Sequence, residues 1–117
     1  MKGYFRLAVQ HDNWGYFGAV SIDVEVRLGG GIEIIFDCDD LQWRAGVGFG
    51  LAHAYEKAFG GRSGAVVHVT EIRGHDVDTT ETVMAYVAAN AFFDAVKAEQ
   101  PAALAMDRSA GVFTFPK

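Results

Sequence analysis

The 117-residue chain has a single cysteine, Cys38. That excludes an intrachain disulfide and a cysteine-based zinc cluster. Asp37, Asp39 and Asp40 surround this thiol and disfavour the thiolate that a nucleophile needs. Basic residues are also scarce, with 10 Lys and Arg against 15 Asp and Glu and a net charge of −5. Proteins that bind a phosphate backbone broadly carry a basic footprint, and none is present here. No apolar run approaches the roughly 20 residues that span a bilayer. Arg6 interrupts the apolar opening MKGYFRLAV, so a secretory leader is not expected either. The reading is a cytoplasmic protein with no membrane partner.

Nucleotide motifs are missing as well. There is no G-x-x-x-x-G-K-[ST], so a P-loop GTPase is excluded. Gly46, Gly48 and Gly50 suggest a dinucleotide fingerprint. The third glycine of that motif would fall at Leu51, and no parallel βαβ unit precedes it. No cofactor is expected.

What is present is a foldable core. Half of the residues are hydrophobic and 13% are aromatic, which argues against disorder and suits one domain over residues 1–117. Gly3 to Gln10 alternates around Phe5, Leu7 and Val9 and predicts a first strand. His11, Asp12, Asn13 and Trp14 carry turn chemistry. From Tyr16 to Leu28 the alternation is clean. Val20, Ile22, Val24, Val26 and Leu28 share one face; Ser21, Asp23, Glu25 and Arg27 share the other. That pattern predicts a sheet with one buried and one wet face. Gly29 to Gly31 then suggests a tight reversal into a third strand, Ile32 to Asp37, giving a hairpin.

Val47 to Phe59 predicts a helix with Val47, Leu51, Ala54, Tyr55 and Ala58 on its inner side. Glycine inside a helix costs about 1 kcal/mol against alanine, so Gly48 and Gly50 point to close backbone packing. Gly60 and Gly61 end this helix. Ala65 to Arg73 is a β-branched strand. A second helix follows, with Val83, Met84, Val87, Ala88, Ala91, Phe92, Ala95 and Val96 at helical spacing. Asp78 is read as its N-cap, with Glu81 completing a D-x-x-E capping box. The helix is expected to stop before Pro101. Residues 101–106 suggest one more helical turn, and Gly111 to Phe115 a last short strand. The order β-β-β-α-β-α-β implies an α+β two-layer sandwich: a mostly antiparallel sheet with two helices packed on one face.

Several residues are candidates for chemistry. His68, Glu71, His75, Asp76 and Asp78 have the side chains of a first-row metal site, although a structural turn with Asp78 as its cap is the preferred reading. Asp37, Asp39 and Asp40 suit a hard cation but lack the rest of an EF-hand loop, so a solvated acidic loop is preferred. His11, Asp12, Asn13, Trp14, Tyr16 and Trp43 are the expected binding surface, since aromatic residues in loops favour recognition. The alternative is that these rings cap the ends of the core.

The segment His75 to Lys97 (HDVDTTETVMAYVAANAFFDAVK) resembles the H-x-V-D-[ST]-[ST]-E turn and second helix of domain IV of elongation factor G and its relatives. Gly15-Tyr16 with Val20 to Val26, Gly31 to Asp37, and Gly46 to Gly60 are similar to its entry loop, long strand, returning strand and first helix. Pro101 falls where members of that family tend to carry proline. The resemblance runs almost end to end. It implies a left-handed βαβ crossover and a non-enzymatic domain that reaches the ribosomal decoding region through its tip loops. Where that family has a glycine-rich, often basic loop, this chain has His11 to Trp14. The expected function is a non-enzymatic binding or assembly module, with an unidentified protein partner or self-association. A ribosome- or RNA-associated role is the alternative, disfavoured by the acidity. An enzyme or metal site around His75 to Asp78 is the third.

Overall fold

The alternation that fills β2 (Gly15–Arg27) decides the layout, because its two faces differ so sharply in character. The computed structural model describes residues 1–12, 14–98, 104–108 and 110–115. β2 pairs antiparallel with β1 (Lys2–Gln10) on one side and with β4 (Gly64–Arg73) on the other. β3 (Ile32–Phe36) pairs parallel with β4, so the sheet order is β1-β2-β4-β3. The expected hairpin of β2 with β3 therefore does not form. The glycine reversal is present, with Gly29 and Gly31 at positive φ. The space beside β2 is filled by β4, which offers a longer β-branched partner, and β3 takes the outer position.

Helix α1 (Arg44–Phe59) joins β3 to β4, and α2 (Glu81–Val96) follows β4. Both helices pack on the same face of the sheet and against each other. Val20, Ile22 and Val24 of β2 and Ala65, Val67 and Val69 of β4 point into this layer, each at most 2% exposed. The architecture is an α+β two-layer sandwich with a mostly antiparallel sheet. Val26, near the end of β2, and Leu28, just past it, were expected on the inner face yet are exposed, Leu28 fully.

Helix packing explains two of the three early glycines of α1. A Cβ on Gly46 or Gly50 would fall inside contact distance of the Glu81 or Ala85 carbonyl. Gly48 was expected to be a close approach too, but it faces open space. The cap of α2 lies later in the chain than the capping box suggested. Thr80, not Asp78, is the N-cap, and its side chain accepts from Val83 N at 3.1 Å. Asp78 is held instead as part of the preceding turn, whose backbone is bonded to β2, so its side chain does not cap the helix. Glu81 is the first residue of α2. Its carboxylate accepts from Gly46 N, at the start of α1.

α2 is more buried than its one-sided spacing predicted, and Ala85, Tyr86, Ala89 and Phe93 are covered too. A C-terminal ribbon contributes to this. β5 (Ala105–Asp107) and β6 (Val112–Thr114) form a two-stranded antiparallel sheet. Ala105 and Met106 thus lie in a strand where a helical turn was expected; residues 101–103, including Pro101, lie outside the described residues, as does Gln100. Phe113 meets Tyr86 of α2 with ring centroids 5.0 Å apart. Phe115 lies edge-on to Phe49 and His53 of α1. Among the described residues, no helix is long and apolar enough to cross a membrane.

Candidate functional site

Turn chemistry at one end of the sheet brings three of the predicted recognition residues, His11, Trp14 and Tyr16, together. His11 N donates to Trp14 O at 2.7 Å, closing the loop between β1 and β2. The His11 ring stacks on Trp14 with centroids 4.9 Å apart and 18° between planes. Trp14 meets Tyr16 at 4.9 Å, and Tyr16 meets Phe113 at 5.3 Å. Phe113 reaches Tyr86, so a file of rings runs from an exposed histidine to the central helix. Tyr16 Oη donates to Gly111 O at 3.0 Å, fixing the polar end of its ring. Trp14 and Tyr16 are half-buried, while His11 and Asp12 are exposed. Asn13 lies outside the described residues.

The turn after β4 is stitched to the same strand. Thr79, 5% exposed, donates from Oγ1 to Phe17 O at 2.7 Å and accepts from His75 N at 2.6 Å. Phe17 N donates to Asp78 O at 2.9 Å. These bonds satisfy a buried hydroxyl and strand backbone groups together, as buried polar groups require. Between turn and strand lies a shallow cavity of about 350 Å³, lined by Ala8, Val9, Tyr16, Phe17, His75 and Asp78. Trp43 lies against the start of the turn at Gly74. A Cβ on Gly74 would lie 2.5 Å from Trp43 Nε1, so the glycine makes room for the indole. Trp43 is half-buried and adopts a positive φ of 70° at the N-cap of α1.

The metal candidates do not converge. His68 sits on the open sheet face with Nδ1 2.7 Å from Asp37 Oδ2. Glu71 is 3.8 Å from Arg73 Nε. His75 Nδ1 lies 4.0 Å from Asp78 Oδ2, and Asp76 is exposed. Among the described residues, no three His, Cys, Asp or Glu side chains gather as a metal site. In the acidic loop, Asp40 Oδ1 accepts from Gln42 N at 2.8 Å, which is local turn chemistry.

Two contributors escaped the sequence reading. Thr79 anchors the turn, but its role depends on a partner 62 residues away. His53 lies half-buried on the face of α1 between Phe49 and Phe115, and its Nε2 has no hydrogen-bond partner among the described residues. Burial, and secondarily the Lys57 cation one turn on, hold its pKa below the ordinary histidine value.

No family model matches this sequence, and neither does any curated protein. Among solved structures, a crystal structure of a protein from Thermus thermophilus aligns with a TM-score of 0.63 at 20% identity. The alignment covers 78% of this chain and 14% of that one, so the chain corresponds to a small part of a longer protein. At this identity the likeness establishes the fold.

Proposed function

We propose that the protein is a non-enzymatic binding or assembly module with a fold like domain IV of elongation factor G, acting in the cytoplasm without a GTPase of its own. The observation that carries this reading is the ring file from His11 through Trp14 and Tyr16 to the core. It presents a rigid aromatic end beside the exposed turn that holds His75, Asp76 and Val77. Aromatic groups anchored from behind supply contact area at low entropic cost, which suits recognition. The test is recovery of what co-purifies with native protein, repeated with Trp14→Ala and Val77→Asp. Loss of the same partner from both variants, at unchanged folding, supports the reading. Retention by both places the contact elsewhere and overturns it.

A second reading keeps the ribosome. It rests on the resemblance of His75 to Lys97 to the turn and second helix of that translation-factor domain. Asp12, Asp76 and Asp78 at the tip oppose it, because phosphates repel carboxylates. Co-sedimentation with ribosomes across a salt series decides the matter. An RNA contact is strongest at low salt, and no sedimentation there removes the reading.

A further inference from the structure

The two edges of the main sheet are treated differently. Ala65 N donates to Gly31 O at 3.0 Å, and Asp37 N donates to Val69 O at 2.9 Å. In a parallel ladder the N–H and C=O groups of alternate residues face the same neighbour. That parity turns Glu33 and Ile35 toward β4. It leaves the N–H and C=O groups of Ile32, Ile34 and Phe36 facing away from the sheet, and no described residue bonds to them. At the opposite edge, the Asp94 carboxylate of α2 accepts from Tyr4 N at 3.0 Å, so β1 is partly blocked. β3 is also thinly roofed. Its helix-side residues Ile32, Ile34 and Phe36 stay half-buried, whereas Ala65, Val67 and Val69 beside them are 0% exposed. A β-branched edge with open hydrogen-bonding groups is a template for another strand.

We infer that β3 pairs antiparallel with β3 of a second copy about a two-fold axis at Ile34, making one continuous sheet across the dimer. This rests on the assembly half of the proposed function and names the surface it uses. The register is self-complementary. Ile34 meets its own counterpart and Ile32 meets Phe36, and each pair exchanges backbone bonds in both directions, as a bonded antiparallel pair does. Charge favours the same arrangement. The end of β3 near the C-terminus of α1 carries exposed Arg27, Lys57 and Arg62, and the Gly61 carbonyl lies near Gly30 there, 3.1 Å from where a Cβ on Gly30 would sit. The other end carries Asp37, Asp39 and Asp40. Arg27 is matched by Glu33 at 3.5 Å and Asp37 by His68, while Arg62 forms no ion pair among the described residues. The two-fold axis sets Arg62 and Lys57 of one copy against Asp39 and Asp40 of the other. A parallel pairing would place like charges together. Leu28 and Leu41, 99% and 78% exposed, lie at opposite ends of β3 and are brought toward one another by the same rotation.

The test is light scattering across a concentration series, with amide exchange on the same samples. The expected result is a monomer–dimer equilibrium in which Ile32, Ile34 and Phe36 amides gain protection with concentration, while Glu33 and Ile35 are protected throughout. Ile34→Pro removes an outward donor without touching the bonds to β4, a place where an edge strand tolerates proline. It loses one donor per copy and raises the dimer dissociation constant about tenfold or more. Arg62→Glu weakens the dimer, and adding Asp39→Arg in the same chain restores it. A strictly monomeric protein, or a dimer that Ile34→Pro leaves intact, overturns the inference. Neither result touches the tip, whose binding is assayed independently through Trp14→Ala.

Discussion

The Glu81 carboxylate accepts the backbone N–H of Gly46, so one side chain serves the starts of both helices. It is the acidic residue in the first turn of α2, and α1 has no acid in its own first turn. A negative charge at a helix N-terminus is favoured by the dipole, and a bond to a charged acceptor is stronger than a neutral one. Glu81→Ala should cost about 2 kcal/mol. Urea unfolding measures it, and Glu81→Gln should recover only part of the loss.

The glycines of α1 divide by what they face. Gly50→Ala would drive a methyl group into the Ala85 carbonyl, where backbone cannot yield without separating the helices. A loss of about 3 kcal/mol is expected from such overpacking. Gly48 meets nothing within 4 Å. Gly48→Ala should instead stabilise the helix by about 1 kcal/mol. Thermal midpoints moving in opposite directions would establish the distinction.

Capping gives a similar contrast. Thr80→Ala removes the side-chain acceptor for Val83 N and should cost about 1 kcal/mol. Asp78→Ala removes a carboxylate that does not cap α2 and should cost clearly less. Equal losses in denaturant titrations would return the cap to Asp78.

His53 imposes a pH dependence whose sign is fixed by its surroundings. Its folded pKa lies below the unfolded value of about 6.5. The unfolded chain therefore binds the proton more readily between the two. The stability linked to neutral His53 is fully present above about pH 6.5 and falls as pH drops toward the folded pKa. His53→Leu should flatten this part of the stability profile. Unfolding free energies of both proteins from about pH 4.5 to 7.5 report the difference, and parallel curves would remove His53 as the source.

Local patterning carried much of the fold into view. The alternation of Val20, Ile22 and Val24, and the spacing of Val47, Leu51, Ala54 and Tyr55, needed no tertiary information. Errors arose where two parts of the chain compete for one place. Gly29 to Gly31 has hairpin chemistry, but β4 outcompetes β3 for the side of β2, and a turn cannot signal a later insertion. Asp78 and Thr80 both suit an N-cap, and the choice is made by Thr79 anchoring the turn to Phe17. At the candidate site, the ring-bearing loops were readable from composition. Their convergence was not, because Trp43 reaches Gly74 only after β3, α1 and β4 have folded into place.

The two tryptophans of this chain sit at the same end of the molecule, Trp43 against Gly74 and Trp14 against Tyr16. Intrinsic fluorescence is thereby a local reporter without any label. A ligand at the tip should change the emission. Trp43 follows Asp39, Asp40 and Leu41, which strand pairing at β3 would bring toward a second copy, so Trp14 emission read in a Trp43→Phe variant separates occupancy of the tip from joining of the sheets.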